Sequence, residues 1–246
     1  MESAVLQARG LSKRFGAVTA VDNVDLDLVP GQCVGLIGPN GAGKSSLLAL
    51  LAGSIRPSRG EIVLDGRDIV RLPIHARVRS GIARASQIPQ TFARLSVMDN
   101  VRVAALFGAG LPRRQAQEWT EEVLGLCQLT GRGMAQAGSL GLLDRKRLEL
   151  AKAIAARPKV LLLDEIAAGL TEPEIETMMN LVRQLKTDRT VVWVEHIPFA
   201  LHGVCDRLVV MDGGAKKLDG EFDVVWGSDD LQEIYLGVPD DVIDDN

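Results

Sequence analysis

The chain has 246 residues, 46% apolar and 24% charged, with 25 Gly and 10 Pro; at roughly 100–200 residues per domain it makes one large domain or two small ones with a real core. These values exclude a disulfide-stapled mini-protein and extensive disorder, and no apolar run approaches the roughly 18 residues of a membrane span. The formal charge of −4 is unevenly spread: residues 219–246 hold ten acids and neither Lys nor Arg, leaving the rest at +6, as in a solvated acidic terminus or an interaction tail.

The first forty residues read as strands. Val18, Val21, Val24, Leu26 and Leu28 interleave with Thr19, Asp22, Asp25 and Asp27, an approximate period of two closed by Pro30-Gly31. A fully apolar strand, Cys33 to Ile37, runs into Gly38-Pro39-Asn40-Gly41-Ala42-Gly43-Lys44-Ser45-Ser46 and then a helical face of Leu47, Leu48, Leu50 and Leu51. Gly60 to Asp65 reads as a strand ending in an Asp65-Gly66 turn. Residues 56–84 carry seven Arg and one His against three acids. Val97 to Leu129 is helical, broken by Gly108, Gly110 and Pro112; Asp144 is expected to cap a helix with Leu148, Ala151, Ile154 and Ala155 on its apolar face, ended by Pro158. Val160 to Leu163 and Val191 to Val194 read as buried strands, with a helix over Glu174 to Leu185 between them. Strands separated by helices predict an α/β domain with a partly parallel sheet and a helical insertion near residues 90–155. Glu2, with no apolar stretch after it, does not read as a secretory signal, and the scattered Cys33, Cys127 and Cys205 fit a reducing, cytoplasmic setting.

Gly38-x4-Gly43-Lys44-Ser45 fits the P-loop pattern between a strand and a helix. Its glycines let backbone N–H groups converge on phosphate oxygens, and the helix adds its positive end. Lys44 is expected to reach the β and γ phosphates, and the Ser45 hydroxyl to hold Mg²⁺. Asp164 ends the strand 160–163 and Glu165 follows it. On a strand beside a P-loop, Asp164 suits Mg²⁺ binding, usually through water, and Glu165 suits a general base for attacking water; taken alone, the pair reads equally as a helix cap.

Gly38 to Ser46, Gly81-Ile82-Ala83-Arg84-Ala85-Ser86-Gln87-Ile88-Pro89, the helix Arg145 to Ala156, Asp164-Glu165 and Glu195-His196 occur in the order of an ABC-transporter nucleotide-binding subunit. The similarity covers nearly the whole chain. Gly81 to Pro89, Arg147-Leu148-Glu149, Ala167-Ala168-Gly169-Leu170 and Tyr235-Leu236-Gly237 resemble the ATPases of branched-chain amino acid importers and their urea and amide relatives. The resemblance implies a P-loop cassette over residues 1–237, with an antiparallel β subdomain, a RecA-like core, a helical subdomain at about 90–155 and an acidic tail at 238–246.

By position, the resemblance gives Phe15 the stacking of adenine, against a plain reading as a core Phe. It gives Gln87 contact with Mg²⁺ and the attacking water and a link to the membrane subunits; alone, it is a loop residue. It gives His196 the γ-phosphate contact of the switch histidine; alone, it is a strand-end histidine. Ala168 to Thr171 matches the loop where two subunits meet. The implied cofactors are ATP and Mg²⁺. The implied partners are two membrane permeases, a second ATPase subunit and, indirectly, an extracytoplasmic solute-binding protein, at the cytoplasmic face of the inner membrane.

The signature segment departs from the family. Where Leu-Ser-x-Gly and then Asp, Glu or Gln belong, the chain reads Leu140-Gly141-Leu142-Leu143-Asp144. In the dimer that segment caps the partner's ATP; Gly141 lacks the serine hydroxyl, and Leu143 is bulky where close backbone approach is needed. Losing one charge-assisted hydrogen bond costs about 1.5–3 kcal/mol. Ile166 also replaces a proline. Two expectations follow: half of an asymmetric pair, since in these importers two different ATPases usually pair, or a slow regulatory ATPase. A GTPase lacks support because no Asn/Thr-Lys-x-Asp motif is present; a nucleoside kinase would not need Asp164-Glu165. A nucleic-acid-associated ATPase would use the basic segment 56–84, but such proteins usually carry two cassettes or a long insertion, so no nucleic acid is expected. The nearest alternative is a lipopolysaccharide-type exporter ATPase, with a similar Tyr-Leu-Gly ending.

Overall fold

The computed structural model describes residues 4–236. β1 (Leu6–Phe15) and β2 (Val18–Leu28) pair antiparallel, and β4 (Arg59–Leu64) turns into β5 (Arg67–Asp68) through Asp65 and Gly66, both with positive φ, as a tight hairpin turn demands. They form an antiparallel sheet in the order β2-β1-β4-β5. The alternation of β2 slips at Asn23, whose φ is +49. Val21, Val24, Leu26 and Leu28 are therefore buried, whereas Val18 is exposed.

A second sheet joins β10 (Ala215–Glu221), β9 (Arg207–Asp212), β3 (Cys33–Ile37), β8 (Thr190–Val194), β7 (Val160–Asp164) and β6 (Ile82–Ala85) in that order, parallel except for β9–β10. Every residue of β3, β7 and β8 is buried, which explains their unbroken apolar sequences: both faces are covered. On one face Val34, Leu36, Leu162 and Val192 pack with α1 (Lys44–Ala52) and the antiparallel sheet. On the other, Leu161, Leu163, Val191 and Trp193 pack with α6 (Glu172–Leu185) and the helical region. Among the described residues no helix is long and apolar enough to cross a membrane.

The helical region holds α3 (Val97–Phe107), α4 (Arg113–Leu126) and α5 (Leu142–Ala155). The Ser96 hydroxyl caps α3 by accepting the Asp99 N–H at 3.0 Å, and the Trp119 indole ties α4 to α5 by donating to the Ala155 carbonyl at 3.1 Å. Asp144 does not cap α5. The helix starts three residues earlier than such a cap would set, with extended Gly141 at its N-cap, and Asp144 sits in the first turn beside Arg147 at 3.3 Å. α6 likewise starts before Glu174, because Thr171 and Glu174 form a reciprocal capping box.

α2 (Ile74–Ser80), β6, β9 and β10 were not legible as elements. The basic segment 56–84 is not uniformly a solvated face. Arg77 is 1% exposed and donates to the carbonyls of Leu50, Leu51, Val70 and Leu72, tying the C-terminal end of α1 to the loop before α2. Nor are residues 219–246 one solvated acidic terminus: Asp219 lies in β10, paired with Arg207 and Lys216, and the helices Phe222–Trp226 and Asp229–Leu236 follow. Gly237 and the acidic tail 238–246 lie outside the described residues.

Candidate functional site

The loop between β3 and α1 is shaped by its glycines. Gly38 has φ +146, and a Cβ there would stand 2.0 Å from the Met211 carbonyl oxygen; Gly43 has φ +97, and a Cβ would stand 2.1 Å from the Ala20 carbonyl oxygen. Both positions exclude a side chain on two grounds, backbone conformation and space. The Pro39 carbonyl accepts the Ala42 N–H at 3.1 Å, and Ala42 in turn accepts from Gly214, so the loop is braced between the β1–β2 hairpin and the turn after β9. Asn40 and Gly41 are exposed at its crest, as is Ser45, whereas Ser46 is half-buried.

Gly43 supplies no side-chain cap to α1; the helix therefore presents unpaired N–H groups and its positive end to the loop. Lys44 is buried, and its ammonium donates to the carbonyls of Gly38 at 2.5 Å and Pro39 at 3.0 Å. Burial lowers its pKa, opposed by the charges of Glu165 and Asp164. Lysine and both carboxylates thus share one field.

Asp164 ends β7 and is 4% exposed. One carboxylate oxygen pairs with Arg84 of the neighbouring β6 at 2.5 Å; the other, Oδ1, is buried with no hydrogen-bond partner among the described residues. A buried carboxylate oxygen left unpaired is costly, and it suits a hard cation that takes oxygen ligands and keeps some of its water.

Glu165 sits one residue beyond, at φ +46, a conformation that costs a non-glycine residue on the order of 1–3 kcal/mol and persists only where the surroundings enforce it. The surroundings are visible. Glu165 N–H donates to the Val194 carbonyl at 2.9 Å, its own carbonyl accepts from the Lys146 ammonium at 3.0 Å, and two residues on Ala167 N–H donates to Glu195 at 2.7 Å. The Glu165 carboxylate lies 2.6 Å from His196 Nε2 through one oxygen and accepts from the Gln87 side-chain amide through the other.

Glu195 is 2% exposed. Burial pushes its carboxyl up to about 7, against the stabilising N–H donors of Ala167 and Trp193.

The P-loop, Gln87, Asp164, Glu165 and His196 therefore converge beyond the carboxyl ends of β3, β6, β7 and β8, where open parallel sheets place their ligands. Phe15 lies at the end of β1, 50% exposed with the Lys13 ammonium 4.9 Å over its ring, which removes the reading as a core residue. Gly141, Leu142, Leu143 and Asp144 form the start of α5, where Leu142 is 48% exposed and Leu143 packs on the core. Leu142 Cδ2 would lie 3.4 Å from a Cβ at Gly169, in the loop after Glu165.

The family model described as ABC transporter matches residues 21–168. The chain belongs to the ABC transporter family. It is 34% identical to the high-affinity branched-chain amino acid transport ATP-binding protein BraF of Pseudomonas aeruginosa, over 96% of this chain and 99% of that one. It is 33% identical to the lipopolysaccharide export system ATP-binding protein LptB of Acidithiobacillus ferridurans, over 96% of this chain and 98% of that one. Among solved structures, the ADP conformation of MJ1267, an ATP-binding cassette of an ABC transporter, aligns with a TM-score of 0.84 at 25% identity, covering 96% of this chain and 99% of that chain. This ABC cassette is accordingly an ATP-hydrolysing transporter ATPase of a family that binds adenine nucleotides.

Sequence reasoning missed the partners of three charges of this ABC cassette: half-buried Arg84 on Asp164, and buried Glu195 on Ala167 and Lys146 on the carbonyls of Gln87 and Glu165. The available signal was a charged residue embedded in an otherwise apolar strand or helix face. Which partner it meets depends on the neighbouring strand.

Proposed function

We propose that this ABC cassette hydrolyses ATP to drive an importer of branched-chain amino acids, related amino acids or urea. The observation that carries the mechanism is the Glu165 carboxylate held between Gln87 and His196 at the tip of β7. Import and its substrate class rest on the identity to BraF along nearly the whole chain.

In this reading the P-loop amides from Gly38 to Ser46 and the Lys44 ammonium bind the ATP phosphates, and Phe15 stacks on adenine. Mg²⁺ would be held by Ser45, Gln87 and, through water, Asp164, and when bound it neutralises charge on the phosphate oxygens. Glu165 takes the proton from the attacking water, His196 contacts the γ-phosphate, and Gln87 orients the water. Binding of ATP joins two cassettes and hydrolysis releases them, a rigid-body cycle passed to two permeases at the cytoplasmic face of the inner membrane. A solute-binding protein would deliver the substrate outside. A groove of about 690 Å³ beside Gln87, lined by Ile88, Pro89, Leu142 and Arg145, supports contact with a permease there.

Removal of the gene is expected to abolish high-affinity uptake of radiolabelled branched-chain amino acids or urea. Intact uptake with failed lipopolysaccharide export would overturn import and favour the exporter reading that the identity to LptB supports.

The start of α5 supports an asymmetric pair. Gly141 offers one N–H and no hydroxyl, and Leu142 is half-exposed. The intact P-loop would meet a partner cassette's signature, while Gly141 to Asp144 would cap the partner's ATP poorly. Gly141→Ser with Leu143→Gly is expected to raise ATPase activity of the assembled pair about 10-fold. No change would remove the signature as the rate-limiting defect, and with it the slow-ATPase alternative that depends on that defect.

A further inference from the structure

One face of α5 carries three charged residues at three-residue spacing, buried Lys146 and Glu149 and half-buried Lys152, which the helix holds in line. All three grip the backbone of the Gln87 loop. Lys146 Nζ donates to the Gln87 carbonyl at 2.8 Å; Glu149 accepts the Gln90 N–H at 3.0 Å and the Ser86 N–H at 3.5 Å; Lys152 donates to the Gln90 carbonyl and pairs with Glu149 at 3.0 Å. Lys146 alone also reaches across to the Glu165 carbonyl, at 3.0 Å.

Lys146 is 3% exposed. Burying an ammonium is unfavourable unless its hydrogens and charge are answered, and a Met or Leu would fill the same volume at no such cost. Its hydrogen-bond partners are two backbone carbonyls, and those belong to the two residues whose side chains meet: Gln87, whose amide donates to Glu165, and Glu165 itself. The charges facing it from the strands are those of Glu195, Glu165 and Asp164. A single cation therefore fixes both backbones from which this pair projects, and it holds the carbonyl of a residue at φ +46.

We infer that Lys146 is a positioning residue for hydrolysis: from α5 it sets the left-handed backbone of Glu165 and the reach of Gln87, so that the carboxylate is aimed at the attacking water. This rests on the proposed role of Glu165 as base. Small displacements of a reacting group cost roughly 10²-fold in rate, which sets the size of the effect.

The test uses the full chain assembled with its partner cassette. Lys146→Met is expected to lower kcat by roughly 10²-fold with KM and the dissociation constant for a fluorescent ATP analogue changed less than about 2-fold, because ground-state binding does not pass through Glu165. Lys146→Arg, which keeps charge and donors, is expected to recover most of kcat. Hydrogen exchange of the Gln87–Gln90 and Ala167 amides is expected to quicken in the Met variant and return in the Arg variant. Should Lys146→Met not fold, Lys146→Gln, with one amide left to donate, is read in the same way. A folded variant with unchanged kcat, or with kcat and nucleotide affinity falling together, overturns the inference. Normal turnover in Glu165→Gln beside impaired Lys146→Met would instead remove Glu165 as base and leave the positioning of Gln87 standing.

Discussion

Glu165→Gln is expected to reduce ATP turnover by roughly 10²–10⁴-fold, the usual contribution of a positioned general base, without weakening ATP binding. The amide matches the carboxylate in shape, so the contacts with His196 and Gln87 and the backbone bonds to Val194 and Lys146 have no steric reason to break. What is lost is the ability to take a proton. With ATP bound and hydrolysis blocked, the two cassettes should stay joined. Size-exclusion chromatography with ATP and Mg²⁺ is expected to show a stable dimer for the variant and a transient one for the parent. Turnover at the parental rate, with the partner cassette present, would sink Glu165 as the base.

The second large effect lies in the P-loop. Gly43→Ala puts a Cβ 2.1 Å from the Ala20 carbonyl oxygen, and Gly38→Ala one 2.0 Å from that of Met211. Real Cβ atoms do not approach oxygen so closely, and both obstacles are backbone rather than side-chain ends that swing away. The loop must therefore shift, and the N–H groups it aims at phosphate shift with it. Each variant is expected to lose nucleotide affinity by about 10²-fold or more, since one or more charge-assisted hydrogen bonds at about 1.5–3 kcal/mol each would be misaligned. Gly41→Ala is the control. It has φ +81 but open space, so it should cost about 1–2 kcal/mol of stability from the left-handed backbone alone and leave most affinity in place. Calorimetric titration with ATP separates the three; equal affinity in Gly43→Ala and Gly41→Ala would show that loop shape does not govern binding.

These two sites differ in how readable they were. Gly38 to Ser45 announces itself because its conformation is local: glycine spacing and the strand and helix on either side lie within a dozen consecutive residues. Asp164 and Glu165 were readable as the end of an apolar strand. Their environment was not: the Arg84 partner of Asp164 and the Gln87 partner of Glu165 are 80 and 78 positions away in the chain. Asp144 shows a different failure. Its side chain is a good N-cap in isolation, but Gly141 already has the extended backbone an N-cap needs, so α5 starts before Asp144 can serve. Arg77 looked like one more surface cation among seven and is instead a buried anchor for α1.

By itself the amino-acid sequence determined the phosphate loop, the apolar strands of a two-sided sheet and the family, because each is encoded in short-range spacing and in residue types that leave the backbone few choices. Tertiary structure alone decided the rest. Strand order β3-β8-β7-β6 sets Glu165 beside His196 and Gln87, and the packing of α5 on β6 and β7 turns three ordinary-looking charges into a clamp on the Gln87 loop. The physical reason is that a charge far from its partner in sequence has no local signature; only the closing of the sheet removes it from water and leaves the partner as its one remaining source of hydrogen bonds.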